Sequence, residues 1–390
     1  MSEFDRQANV LANRLSRRGF IKAVAAMSFL AGCRAAPLQP TPTPTFSPTS
    51  TPRPTDTPCP TDTPRPQPTS TATPMVTSSP APTATRSRPD VIKMHPEAAS
   101  KVVHTRHAGV WSGESLEPNA LRQMLDASIT ELTGLNDAGE AWSALFQPGE
   151  RVAIKVNAFR NSLIWTHAPL AMAITEALQD AGVGADQIVV FDCLTRELET
   201  AGYPVNKDGA GVRCYGNDGD HVGDWDIVER STQISRILMD CDALINVPVL
   251  KAHRLAGLSF GMKNHYGTIS NPSSYHRGQA ITQGLAEINA LPPIRDRARL
   301  IVGDMLTACL YYGASYPYWE ADWKGDALLM SFDPVAHDTV GLDIIASLRE
   351  AEGGSRQPLV NNATPWLRHG AEIGLGTNDP DDIDLVEVDL

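Results

Sequence analysis

Several functional signatures are missing from this sequence. Its six cysteines, Cys33, Cys59, Cys193, Cys214, Cys241 and Cys309, include no C-x-x-C pair, so neither a zinc ribbon nor an iron–sulfur cluster has its spacing here. Basic residues are the scarcer charge: 33 Lys and Arg stand against 45 Asp and Glu, for a formal charge of −12. Removing the first 33 residues, whose Glu3 and Asp5 face five basic groups, takes the charge from −12 to −15. So acidic a chain argues against nucleic acid as a partner. Beyond the N-terminus no apolar run is long enough to span a bilayer, and no internal repeat occurs.

What is present begins with an address. Ser16-Arg17-Arg18-Gly19-Phe20-Ile21-Lys22 is a twin-arginine pattern, followed by the apolar run Ala23–Ala31 and by Leu30-Ala31-Gly32-Cys33, a lipobox-like end. The run is too short for a stable transmembrane helix. Residues 1–33 are therefore expected to be a lipoprotein signal peptide with Cys33 as the lipidated residue. The first partner is the twin-arginine export machinery, and the location is extracytoplasmic, lipid-anchored to the bacterial cell membrane. Residues 34–90 are a Pro/Thr/Ser-rich text without apolar content for a core. They are expected to form a disordered tether reaching at most roughly 150 Å at about 3.1 Å per residue. Residues 91–390 are long enough for a single domain with a sizeable core. Its four cysteines are expected by default to be buried free thiols, with a disulfide formed after export left open.

Within that domain, apolar runs and helical periodicities alternate. Arg151–Asn157, Gln187–Asp192, Ala243–Leu250, Arg299–Asp304 and Ala327–Asp333 read as strands; Pro169–Ala181, Ser231–Met239, Gly278–Ala290 and Val335–Arg349 read as helices; Ile383–Asp389 reads as an edge strand. The alternation predicts an α/β fold, a mainly parallel Rossmann-like sheet covered by helices on both faces. Ligands of such sheets bind at the carboxyl ends of the strands. Those ends are polar here: Lys155 and Asn157, Asp192, Lys251 and His253, Asp304 and Asp333.

One stretch concentrates the chemistry. After Ala243–Leu250 come Lys251, His253, Arg254, Lys263, Asn264 and His265, interleaved with Ala256, Gly257, Ser259 and Gly261. Gly257 and Gly261, four apart, are expected to share a helix face and admit close approach. Basic groups beside small residues at a strand end suit an anion site. Lys155 inside an apolar strand reinforces this, because a buried lysine needs a partner.

Four blocks in order carry a resemblance: Lys155-Val156-Asn157; Asn246-Val247-Pro248 with Lys251 and His253; Gly261-Met262-Lys263-Asn264 with Gly267; and Ser331-Phe332-Asp333-Pro334-Val335-Ala336 with Asp338. Together they resemble the family known as domain of unknown function 362. The run from His253 through Ala256-Gly257, Ser259 and Gly261 to Lys263 is also similar to the motif of the nickel-pincer lactate racemases. That resemblance implies Lys263 as the attachment point of a nickel cofactor and His253 as an acid–base group. It also places Thr166-His167-x-Pro169 at a substrate-binding run, with His167 as a binding residue. The chain departs from that motif at Phe260, which stands where a glycine is usual, and in having no histidine near Asp192–Arg196; His265 and His276 are the nearest downstream candidates.

Two functional classes follow. In the first, an enzyme acts on a small anionic, carboxylate-type substrate: Lys155, Asn157, Lys251 and Asn264 bind and orient it, and His253 and Lys263 carry the chemistry. In the second, an extracytoplasmic protein captures an anionic ligand without chemistry. A metal-assisted variant would use Asp192 and Asp304, both hard oxygen ligands. The sequence names no cofactor. The export reading has a direct check: replacing Arg17 and Arg18 by Lys should leave precursor inside the cell, and unchanged delivery to the outer face would contradict it.

Overall fold

The computed structural model describes residues 99–159, 162–313 and 318–390; the expected signal peptide, Cys33 and the linker lie outside the described residues. Ten strands form one sheet. In chain order they are β1 Ser100–Arg106, β2 Val152–Lys155, β3 Ile188–Phe191, β4 Arg213–Cys214, β5 Ala243–Asn246, β6 Val249–His253, β7 Gly257–Ser259, β8 Ala298–Cys309, β9 Trp323–Ser331 and β10 Ile383–Asp389. Their spatial order is β10-β1-β9-β8-β5-β2-β3-β4, with β6 pairing β8 and β7 folded back on β6. Only β9 and β7 run against the rest. The sheet is thus mainly parallel with helices on both faces.

The pleat of β2 separates two cores. Val152, Ile154 and Val156 pack with the helices Pro118–Thr133, Ala138–Leu145 and Ala168–Asp180. Ala153 points the other way, toward the helices Pro334–Ala351 and Gln357–Glu372. The first of these two starts cleanly because the Asp333 carboxylate accepts the Val335 and Ala336 N–H groups and Pro334 needs no partner. Among the described residues no helix is long and apolar enough to cross a membrane.

Four sequence expectations need correction. Ala243–Leu250 is two strands, because Pro248 has no N–H to give a ladder; β5 ends at Asn246 and β6 starts at Val249. The offset carries Lys251 and His253 past the end of β5. Ser231–Met239 is mostly strand: His221–Ile227 and Arg230–Ser235 form a hairpin, and only Arg236–Asp240 is helical. The hairpin turns at Val228 and Glu229, both at positive φ, where Asn-Gly would be the usual signal. Gly257 and Gly261 do not share a helix face, since Gly257 opens β7 and Gly261 begins the short helix Gly261–Asn264. Gly257 sits at φ +75°, and a Cβ there would lie 2.1 Å from the Leu359 carbonyl oxygen. Close approach is therefore its role, but to a helix of the same chain. Gly278–Ala290 also divides, into Gln279–Thr282 and Gly284–Ala290.

Candidate functional site

The site is built on Lys155, the last residue of β2, which is fully buried. In register it lies between Asn246 of β5 and Phe191 of β3, so Asp192, one residue past β3, comes alongside. The Lys155 amine donates to Asp192 Oδ1 at 2.7 Å, to the Val156 carbonyl at 2.7 Å and to Asn264 Oδ1 at 3.3 Å. Asp192 Oδ2 accepts the Ala158 N–H at 2.6 Å. The charge of Lys155 is thus met inside the protein by Asp192, and the pair holds the site together. Gly267 closes over the pair. A Cβ there would fall 2.6 Å from Asp192 Oδ1 and 2.8 Å from the Lys155 amine, so no larger residue fits.

Asn264 is spent in the same network. Its amide donates to the Lys155 carbonyl at 3.2 Å and to Asn246 Oδ1 at 2.8 Å, and its carbonyl oxygen accepts from Asn157 at 3.1 Å. The short helix that carries Asn264 is anchored by Asp338, whose two oxygens accept the Gly261 and Met262 N–H groups, each at 2.8 Å. Asn157 turns its remaining oxygen to the Lys251 amine at 2.6 Å.

These residues enclose a cavity of about 190 Å³ whose lining includes Lys155, Asn157, Lys251, His253, Lys263 and Asn264, together with Tyr266, His276 and Trp319. Lys251 faces the Trp319 ring at 5.4 Å. The Lys263 amine lies 3.8 Å from the Tyr266 ring centre and 3.3 Å from His276 Nε2. Among the described residues neither amine has a carboxylate partner. Burial first, then the neighbouring Lys251 charge, pushes Lys263 down to about 7. Burial likewise pushes Lys251 down to about 8. Cys193 also lines the cavity, but burial pushes its thiol up to about 11, so it is not a thiolate at neutral pH.

The histidines divide by tautomer. His253 Nδ1 accepts the Leu255 and Ala256 N–H groups at 3.2 and 3.0 Å, so its proton sits on Nε2. Burial, and then the Lys263, His276 and Lys251 charges, hold it well below its ordinary value. His253 is therefore a neutral hydrogen-bond donor, which revises the proton-shuttling role expected from its reference pKa. His276 is the reverse case. Its Nδ1 donates to the Pro272 carbonyl at 2.9 Å, which leaves the Nε2 lone pair facing Lys263. Burial, then Lys263, pushes His276 down to about 4. In the sequence His276 stands out only as a histidine near the downstream position of the nickel-family motif, because it lies in a loop without periodicity.

His167 does not line this cavity. Its backbone N–H and its Nδ1 both meet Asp304 Oδ2 at 2.8 Å, and its ring packs edge-on to Trp111. Burial lowers its pKa, but the Asp304 carboxylate outweighs that and the net shift is upward. The two candidate metal carboxylates are apart in function: Asp192 serves Lys155, and Asp304 serves His167 and the Leu306 N–H. Among the described residues no three His, Cys, Asp or Glu gather as a metal cluster. Cys193, Cys214, Cys241 and Cys309 are unpaired thiols, all but Cys193 buried. The residues present do not fit a large organic nickel cofactor. The cavity is about 190 Å³, whereas pockets for larger organic ligands run from about 300 to 1,000 Å³.

Residues 152–343 match the family described as "Domain of unknown function (DUF362)". No curated protein matches the chain. Among solved structures, the lactate racemase apoprotein from Thermoanaerobacterium thermosaccharolyticum is 12% identical, with TM-score 0.36, over 63% of this chain and 57% of that one. A Thermotoga maritima protein is 11% identical, with TM-score 0.33, over 67% and 60%. This chain therefore spans less than two thirds of the length of either, and nothing about activity passes from them.

The buried pair gives the expected outcome here. Asp192→Asn leaves the Lys155 ammonium without a counter-charge and should cost about 3–5 kcal/mol in urea unfolding. A loss under about 1 kcal/mol would mean that the pair does not organise the site.

Proposed function

We propose that this member of the DUF362 family is an enzyme acting on a small carboxylate substrate in the Lys251–Lys263 cavity. One observation carries the reading: two buried amines line one small cavity, and among the described residues neither forms an ion pair with a carboxylate, although Asp192 and Glu197 also line that cavity. Two such cations repel each other and lack full hydration, so they favour an anion as ligand or else lose protons. Asn157 fixes Lys251, the Nε2–H of His253 adds a neutral donor, and Trp319 and Tyr266 supply apolar walls. A pocket for anion capture alone needs charged lysines. Lys263, held near 7, is instead poised to give up its proton at working pH, and this favours an enzyme over a binding protein.

The same proposal places the domain outside the cytoplasm, lipid-anchored through Cys33 after twin-arginine export, on the strength of Ser16–Lys22 and Leu30–Cys33.

Oxalate is a suitable probe because it is a small dianion. It selects the protonated lysines, which become neutral as pH rises through about 7 and about 8. Its affinity by calorimetry should therefore fall about tenfold or more between pH 6.5 and 8, with proton uptake on binding. Lys251→Ala should abolish it. Affinity that is flat with pH and unaffected by Lys251→Ala would overturn the reading.

A further inference from the structure

We infer that Lys263 is an imine-forming amine, and that the substrate of this cavity is a small oxo acid whose carboxylate meets Lys251 and whose carbonyl carbon meets the Lys263 nitrogen. The inference rests on the carboxylate reading above and names the substrate's second functional group.

The geometry separates the two lysines. Lys251 donates to Asn157 Oδ1 at 2.6 Å, a contact that favours the ammonium form and fixes the charge in place. Among the described residues Lys263 has no oxygen acceptor of that kind. Its amine lies between the Tyr266 ring and the Nε2 lone pair of His276. An uncharged amine in an apolar, water-poor setting is the activated form of lysine as a nucleophile toward carbonyls. The value near 7 for Lys263, against about 8 for Lys251, agrees with that division. In about 190 Å³ the part of a ligand held between the two amines is small. Its carboxylate and carbonyl must therefore be close neighbours in the molecule.

His276 supplies the proton transfer. The Lys263 lone pair attacks the carbonyl carbon, the C–N bond forms, and the carbonyl π pair moves to oxygen. His276 Nε2 takes one proton from the new ammonium centre and delivers it to that oxygen, giving a carbinolamine. A solvent proton on the hydroxyl then lets it leave as water. The C–O bond breaks as the nitrogen lone pair closes C=N. In sum, one amine, one carbonyl and one proton give one protonated imine and one water. His276 suits the relay because its Nδ1–H is tied to the Pro272 carbonyl and only Nε2 can accept.

The test uses the full-length chain in detergent. It is incubated with pyruvate or glyoxylate, reduced with sodium borohydride, digested and analysed by mass spectrometry. The expected result is a reduced adduct confined to Lys263, suppressed by excess oxalate and absent in Lys263→Arg. His276→Gln should slow trapping about 100-fold, the usual scale of a general acid–base group. Adduct spread over surface lysines without preference for Lys263 would overturn the inference. So would the absence of adduct while oxalate still binds, an outcome that leaves the carboxylate reading intact. Loss of both trapping and oxalate binding would remove the two together.

Discussion

The Lys155–Asp192 pair is the constraint on which the rest of this site depends. A lysine at the end of a central parallel strand, with no access to water, must have its charge met within the protein. Asp192 meets it at 2.7 Å, and the remaining bonds of the two side chains fix the neighbouring backbone at Val156 and Ala158. The loop after β2 is thereby held, which sets Asn157. Asn157 in turn sets Lys251. The chain from 261 to 268 can lie over the pair only because Gly267 has no side chain.

A second support comes from distant sequence. Asp338, in the helix Pro334–Ala351, accepts the first two N–H groups of the short helix that bears Lys263 and Asn264. A four-residue helix has too few internal bonds to hold its own shape, so this carboxylate substitutes for the missing cooperativity. Lys263 is positioned by a long helix on one side and by the asparagine network on the other. Such support from packed elements is what precise placement of reactive groups requires.

Much of this was legible in the sequence. Lys155, Asn157, Lys251, His253, Lys263 and Asn264 were singled out as polar groups following apolar strands, and all six line one cavity. Their roles were not legible. Lys155 and Asn264 are consumed by internal bonds, which depends on Asp192 and Asn246 lying across strand registers that no local pattern encodes. The tautomer of His253 is set by two backbone N–H groups in the turn that follows it, a contact that no local pattern encodes. His276, Tyr266 and Trp319 arrive from segments with no periodicity. The parallel strands were readable because burial on both faces leaves continuous apolar runs. The hairpin at His221–Ser235 was not, since its turn residues Val228 and Glu229 carry none of the usual turn chemistry.

The central claim is that two buried lysine amines, without an ion-pair partner among the described residues, line one cavity and that one of them titrates near neutrality. Direct titration of the lysine side-chain nitrogens by heteronuclear NMR, in the wild-type chain and in Lys263→Arg for assignment, tests it most directly. The account predicts one lysine titrating at about 7 and a second at about 8, both moving upward when oxalate is added. Lysines that all titrate near their ordinary value of about 10.4, with no response to oxalate, would contradict it.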